Sequence, residues 1–536
     1  MASGQQSLSP GRGVFRRKPI DSVEDPAEGG GLAKALGLWQ LTAIGVGAII
    51  GAGVFSLAGA IANETAGPAV LFSFLIAGVA SAAAAFSYAE FAGLIPRAGS
   101  AYTYGYIVLG EIVGWFIGWD LLLEYIAIVS VVAIGISGYF DFFLNGIGLS
   151  LPLWMSGAPG TEPAGVPDGS YKVNLFAVLL CLGIAFLLTR GVKNAARFET
   201  AFVILKVAIV GVIIVVGVFF VDTANYDPFF PFGVAGTLSG AALVFFAVFG
   251  YDAMSTAAEE SKDAQRHMPK AIIYSLVISM VLYVMASLVL TGMQNYTEID
   301  PTAGFSAAFA SVGLGWLANL IAIGAVLSIL TVMFTFMLGA TRVWFAMSRD
   351  GLLPKWFAKT DRKYHVPVRV TWIAGVLSAL LAGFFPILEV AELTNIGILS
   401  AFVVVCIAVI VLRYKRPDLP RTFRTPGMPV VPLIGVVFSL WLISFLGWHT
   451  WWRFGIWLLI GLVVYFAYSY RNSNMNRVEA TSGGGAPPAG TPAGPPSGDG
   501  GSGDGRDGAA DGTAPGGGDS GGSGGGADSG GSASGS

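Results

Sequence analysis

Long apolar runs alternate with short polar interruptions along most of this 536-residue chain. A helix needs about 20 apolar residues to cross a bilayer. About twelve runs approach or exceed that length, near 36–62, 68–95, 111–141, 173–190, 198–221, 236–258, 270–292, 308–347, 368–386, 391–413, 428–447 and 453–470. The eighth is overlong and is predicted to tilt or to extend past the membrane. Polar turn residues gather between runs, as at Asn63-Glu64-Thr65 and Asp227-Pro228. The pattern predicts an all-α polytopic membrane protein of about 12 transmembrane helices.

The two ends break the pattern. Residues 1–34 are polar, with Arg12, Arg16, Arg17 and Lys18 close together, and the first apolar run starts only near Leu36. That is not a signal-peptide layout, so a disordered cytoplasmic lead is expected. From Ala480 to Ser536 the chain is rich in Gly, Ser, Ala, Pro and Asp, without one Leu, Ile, Val or aromatic residue. Such a tail buries no core and is expected to be disordered.

Lys and Arg set the expected orientation. With the N-terminus inside, the inner loops hold Arg97; Lys193 and Arg197; Lys262, Arg266 and Lys270; a cluster from Arg349 to Arg369; and Lys415 to Arg424. The outer loops hold only Lys172 and Arg453. Both termini are therefore expected in the cytoplasm, with the chain in the cell membrane.

Composition narrows the function. Only 12% of residues are charged, against about 25% in soluble domains, which excludes an ordinary soluble enzyme. The net charge is −3 and no basic patch stands out, which excludes a nucleic-acid partner. The negative sign belongs to the tail, where Arg506 stands against six Asp. Cys181 and Cys406 both lie in apolar runs, and His267, His365 and His449 lack metal-ligand spacing. No P-loop or nucleophile elbow occurs. No cofactor, metal or catalytic residue is expected.

Two runs are interrupted at matching places. The first contains Gly45-Val46-Gly47-Ala48-Ile49-Ile50-Gly51-Ala52-Gly53-Val54-Phe55, the sixth Phe245-Phe246-Ala247-Val248-Phe249-Gly250-Tyr251-Asp252. Each glycine weakens a helix by about 1 kcal/mol, and freed backbone groups at mid-membrane need polar partners. Close packing through small residues is the alternative; it is the preferred reading for Gly45 and Gly47, whereas a site is preferred for Gly51 and Gly53. Gly51 and Gly250 lie about 200 residues and five runs apart. Residues 35–221 and 236–413 would then form two five-helix units entering the membrane from opposite sides, followed by two helices over 428–470: an inverted-topology repeat. A half-helix after Gly53 presents N–H groups to a carboxylate. Carbonyls around Phe246, Ala247 and Phe249, freed by the Gly250 break, can accept from an ammonium. Together they suit an α-amino acid.

The stretch Gly47-Ala48-Ile49-Ile50-Gly51-Ala52-Gly53-Val54-Phe55 resembles the first-helix signature of amino acid–polyamine–organocation (APC) transporters. Tyr88-Ala89-Glu90-Phe91, Pro96-Arg97-Ala98-Gly99-Ser100-Ala101-Tyr102-Thr103-Tyr104, Gly118-Trp119-Asp120, Leu123-Glu124-Tyr125, Ala257-Ala258-Glu259-Glu260 and Arg349-Asp350-Gly351-Leu352-Leu353-Pro354 extend the likeness over roughly 35–470. The set is most similar to the cationic amino acid transporter branch. The resemblance implies a leucine-transporter-like 5+5 inverted repeat with broken helices 1 and 6. It implies a substrate carboxylate on the backbone of Gly51, Ala52 and Gly53, and an amino group on carbonyls of Ile49, Phe246 and Phe249. Ala52 replaces the usual Ser or Thr, and either Phe246 or Phe249 closes over the substrate.

Few charges lie inside the runs. Lys206 sits nine residues past Arg197, roughly 14 Å along a helix and near the midplane. There it can load and release a proton, and by resemblance it takes the place of a coupling sodium ion; a static cation held by carbonyls is the alternative. Asp120 and Glu124 share a helical face at i, i+4. The Glu124-Tyr125 pair matches a family position near the substrate. Satisfaction of these acids by Ser or Thr hydroxyls is the alternative. Glu90 and Arg97 flank an inner turn, where a gating pair is conceivable, and Glu259 and Glu260 suit loop ion pairs. Trp451, Trp452 and the Tyr102, Tyr104 and Tyr106 run suggest interfacial anchors. The expected function is alternating-access transport of an amino acid across a lipid bilayer, coupled to protons. A proton-independent exchanger of amino acids or polyamines and a transporter-like sensor are the alternatives.

Overall fold

In a computed structural model of the chain, the described residues are 13–17, 36–51, 53–95, 100–162, 165–190, 195–255, 258, 261–361 and 366–476. All belong to one unit, Met1–Gly484. Outside the described residues lie Arg12, Lys18, Ala52, Arg97, Lys193, Glu259, Glu260, His365, the tail from Ala480, and the side chains of Arg197 and Phe246.

The described secondary structure is helical. In chain order the helices are α1 (Leu38–Ile49), α2 (Ala58–Ile61), α3 (Val70–Leu94), α4 (Ser100–Val108), α5 (Glu111–Gly146), α6 (Leu175–Thr189), α7 (Ala195–Gly217), α8 (Gly233–Val248), α9 (Tyr251–Ser255), α10 (Ala264–Met293), α11 (Gly304–Ser311), α12 (Gly315–Arg349), α13 (Val368–Phe384), α14 (Ile387–Lys415), α15 (Val430–Ile443), α16 (Trp448–Val464) and α17 (Tyr470–Asn472). π-Helical turns at Gly53–Leu57 and Ala62–Ala66 flank α2. Among the described residues, seven stretches are long and apolar enough to cross a membrane: Leu38–Leu94, Glu111–Gly146, Phe202–Phe220, Ala264–Met293, Gly315–Arg349, Ile387–Lys415 and Trp448–Asn472. Four apolar helices are shorter. The chain is an all-α, multi-pass membrane protein.

Between apolar helices in lipid, close packing rather than hydrophobicity decides which helix goes inside. The most apolar stretch of α5 is 94% buried, against 28% for that of Phe202–Phe220 and 22% for that of Trp448–Asn472. α5 is therefore the central post, with α12 and α14 packed along it. Its small residues make this possible: a Cβ on Gly118 would stand 2.7 Å from the Sδ of Met347 in α12. The Ala-rich α3 packs on α10 in the same way, Gly78 facing Met280.

Most of the overlong eighth run is the single 35-residue helix α12, preceded across Gly313 (φ +84°) by the last turn of α11; glycine adopts that left-handed geometry without strain. One expectation is corrected: Tyr102, Tyr104 and Tyr106 are not interfacial anchors. All three are buried: Tyr102 donates to Asp350 at 2.8 Å, Tyr104 stacks on Phe91 at 4.8 Å, and Tyr106 donates to Glu111 at 3.0 Å. A Tyr hydroxyl goes inside when a partner waits there. Glu90, the expected partner of Arg97, is held by Arg413, by Arg421 at 3.0 Å and by the Thr425 amide at 2.8 Å. The expected anchors Trp451 and Trp452 are exposed.

Candidate functional site

α1 ends at Ile49, Ile50 is extended (φ −72°, ψ 108°), and π-helix starts at Gly53. α8 ends at Val248, Phe249 is extended (φ −87°, ψ 157°), and α9 starts at Tyr251. The two interruptions cross. A Cβ on Gly53 would lie 2.3 Å from the Cβ of Ala247 and 2.5 Å from its Cα. Gly250, at φ +139°, would place a Cβ 2.8–2.9 Å from the backbone of Ala48 and Ile49. Only glycine fits either position, so the two chains touch backbone to backbone. Gly45 faces Ser275 and Met254, Gly47 faces Val203, and Gly51 faces Val332.

A cavity opens at the crossing. Ala48, Ile49, Gly51, Gly53 and Phe249 line it from the interruptions, Ile128 from α5, and Val332 and Phe336 from α12. Phe249 stacks on Phe336 at 6.0 Å. The side chains that face it are apolar, and what polarity it has comes from the backbone. The structure thus brings Ile49, Gly51, Gly53 and Phe249 together, with Ala247 and Gly250 packed against the same crossing. Phe246 continues α8, and Ala52 lies outside the described residues.

Neither Glu124 nor Tyr125 lines the cavity, and Tyr125 stands behind Phe336. Tyr125 meets Phe336 edge-on at 5.5 Å and donates to Asp252 at 2.5 Å. Asp120, Glu124 and Asp252 are wholly buried. The hydroxyl partners considered for Asp120 and Glu124 are not found: neither carboxylate has a hydrogen-bond partner among the described residues. A Cβ on Gly397 of α14 would lie 2.7 Å from Asp120 Oδ1 and 3.6 Å from Glu124 Cβ, so the two acids share one packed pocket.

Lys206 of α7 is 1% exposed, and its ammonium donates to the Gly47 carbonyl at 2.6 Å. The cation thus sits on the last turn of α1, just before the interruption. On the other side of that turn, Tyr283 of α10 donates to the Ile49 carbonyl at 2.6 Å. Tyr139 of α5 donates to the Phe55 carbonyl at 2.5 Å. These two hydroxyls serve carbonyls on either side of the gap, as backbone groups inside a membrane require. Among the described residues no group of His, Cys, Asp and Glu could hold a metal ion.

Sequence reasoning missed Ile128, Val332, Phe336, Tyr139 and Tyr283. Tyr283 and Tyr139 carried one available signal, a hydroxyl inside an apolar run. Ile128, Val332 and Phe336 carried none. Asp252 was visible as an acid next to the sixth-run break.

The profile of the family described as amino acid permease matches residues 36–468. The chain is 46% identical over 469 residues to the branched-chain amino acid permease BcaP of Bacillus subtilis, covering 87% of this chain and 99% of that protein. It is 43% identical over 464 residues to a methylthioribose transporter of the same organism, with 87% and 99% covered. Against the vacuolar cationic amino acid transporter 2 of Arabidopsis thaliana it is 39% identical over 414 residues, with 76% and 64% covered.

Proposed function

Since the chain belongs to the amino acid permease family, and is a secondary active amino acid transporter rather than an enzyme, we propose that it carries a neutral, apolar α-amino acid by proton symport. The observation that carries this reading is the cavity lining, which combines backbone groups at two crossed helix interruptions with the side chains of Ile128, Phe249, Val332 and Phe336. A zwitterion needs a donor end and an acceptor end. N–H groups after Gly51 supply the first, and carbonyls before the gap and around Phe249 supply the second. The substrate side chain then meets only hydrocarbon, where a guanidinium or ammonium would be unpaired. The likeness to a branched-chain permease points the same way.

In this reading the chain forms twelve spans, with its N-terminus in the cytoplasm. Two inverted five-helix repeats cross at broken helices 1 and 6, and Lys206 is the coupling site. Protonated, it donates to Gly47 and holds the last turn of α1; deprotonated, it loses its charge and lets that turn move. Proton and substrate act on the same interruption, so each biases one conformational equilibrium. Exchange without protons is the second reading, and the same Lys206–Gly47 contact favours it if the lysine stays charged throughout.

Uptake by proteoliposomes tests both. A panel of all amino acids, agmatine and methylthioribose is offered with and without an imposed pH gradient. Gradient-stimulated leucine, isoleucine or valine uptake is the expected result. Arginine preference overturns the substrate assignment, and net uptake that an imposed pH gradient does not stimulate overturns symport.

A further inference from the structure

Glu111 opens α5 and is wholly buried. Its carboxylate collects four donors from three other parts of the chain. Oε1 accepts from Arg16 Nη2 at 2.8 Å and from the Tyr465 hydroxyl at 3.1 Å. Oε2 accepts from the Tyr106 hydroxyl at 3.0 Å and from the Ser473 hydroxyl. Arg16 is 2% exposed, donates to the Tyr470 carbonyl at 3.1 Å and lies 4.9 Å over the Tyr470 ring. The backbone seals the contact. The Glu111 amide donates to the Arg16 carbonyl at 2.7 Å, and a Cβ on Gly110 would lie 2.9 Å from the Phe15 backbone. Residues 13–17, from a polar lead with no apparent role, are thus anchored through the buried Arg16, while Phe15 stays exposed.

The hub reaches the transport site through α4. Tyr106 fixes one end of α4 to Glu111. Two residues back, Tyr104 stacks on Phe91 and meets Tyr88 edge-on at 6.3 Å. Tyr88 meets Tyr251 of α9 at 5.6 Å, and Tyr251 meets Phe249 at 6.4 Å. Phe249 is the cavity wall. Tyr102 ties the same helix to Asp350 at the end of α12, the helix that brings Val332 and Phe336. α4 therefore bears on Phe249 and on the helix that brings Val332 and Phe336, and the Arg16 hub pins the Tyr106 end of it.

We propose that residues 13–17 form a strap which, through the Arg16–Glu111 pair, locks α4 beneath the substrate cavity and holds that face of the transporter shut. Arg16 is a positioning residue for closure. A charge-assisted pair whose acceptor positions are all filled is strong while docked. Once the strap leaves, water solvates both charges, so the strap has a second stable arrangement. Undocking frees α4, and α9 with it, to open a path from this face. The proposal rests on alternating access, and it borrows the N-terminus-inside reading only to name the face.

The test is side-specific thiol labelling. Cys181 and Cys406, both buried, are replaced by Ala, and Ser255, buried at the end of α9, is replaced by Cys. A membrane-impermeant maleimide is applied to right-side-out and inside-out vesicles holding the full chain. Arg16→Ala and Glu111→Gln should each speed labelling from the strap face by about tenfold, with Arg16→Lys intermediate. Labelling from the other face should not rise. Tyr106→Phe cuts α4 from the hub but spares the ion pair, and should give the same asymmetry if Arg16→Ala fails to accumulate. Labelling unchanged in these variants, or raised equally from both faces, overturns the strap. A one-sided rise seen only in right-side-out vesicles keeps the strap and overturns the orientation.

Discussion

Gly53 rests on the α-carbon of Ala247 so closely that a single methyl group placed there would overlap it, at 2.5 Å. This contact joins the two interrupted helices at the cavity. The Gly-x-Gly pattern of the first run is thus explained twice, by the freed backbone and by the need for bare backbone at the crossing.

Gly53→Ala should therefore abolish most transport. Overpacking of this kind costs about 1–3 kcal/mol, and here the obstacle is backbone that has no other rotamer to adopt. At least a tenfold drop in uptake is expected with normal membrane insertion. Gly211→Ala in α7, where an added Cβ meets nothing within 4 Å, should leave uptake intact and raise thermal stability by up to about 1 kcal/mol.

Lys206→Ala should abolish uptake driven by a pH gradient. Counterflow of preloaded substrate should persist, because exchange at equal pH needs no net proton movement. Normal gradient-driven uptake by a well-expressed variant would refute the coupling role.

Tyr283→Phe removes a hydroxyl and nothing else. The Ile49 carbonyl loses its donor inside the membrane, a loss worth about 1–3 kcal/mol for a buried group. A fall in kcat/KM of about tenfold is expected, with an unchanged gel-filtration profile. Unchanged kinetics would leave the hydroxyl with no part in holding the interruption.

Glu124→Gln separates two roles for the buried acid. Glu124 is absent from the cavity lining and packs beside Gly397 of α14. The KM for leucine should stay the same while the maximal rate falls. A raised KM for arginine would return Glu124 to substrate binding, and no change in either constant would make it structural.

Much of the candidate site was legible because lipid is unforgiving of polar groups. Gly51, Gly53, Gly250 and Lys206 stood out in runs where a freed amide or a charge demands a partner. The resemblance then oriented the reading. Ile128, Val332 and Phe336 stayed hidden because a membrane helix is apolar on every face, so periodicity does not mark the inner one. The same blindness carried the eighth run across Gly313 into the last turn of α11, since Gly313 sits in an apolar stretch. Tyr102, Tyr104 and Tyr106 misled for another reason. A Tyr near a run's end suits a headgroup or a buried acceptor equally well, and Asp350 lies 248 residues from Tyr102.

Helices α6 and α13 pack on each other and contain 15 and 17 residues. At the usual rise they extend roughly 22 and 26 Å, short of the ~30 Å hydrocarbon core. On the twelve-span reading, the bilayer must thin where this pair meets lipid, because the central α5 has almost no lipid contact through which to compensate. Acyl-chain length then becomes a setting of the transporter, imposed at its rim rather than at its site.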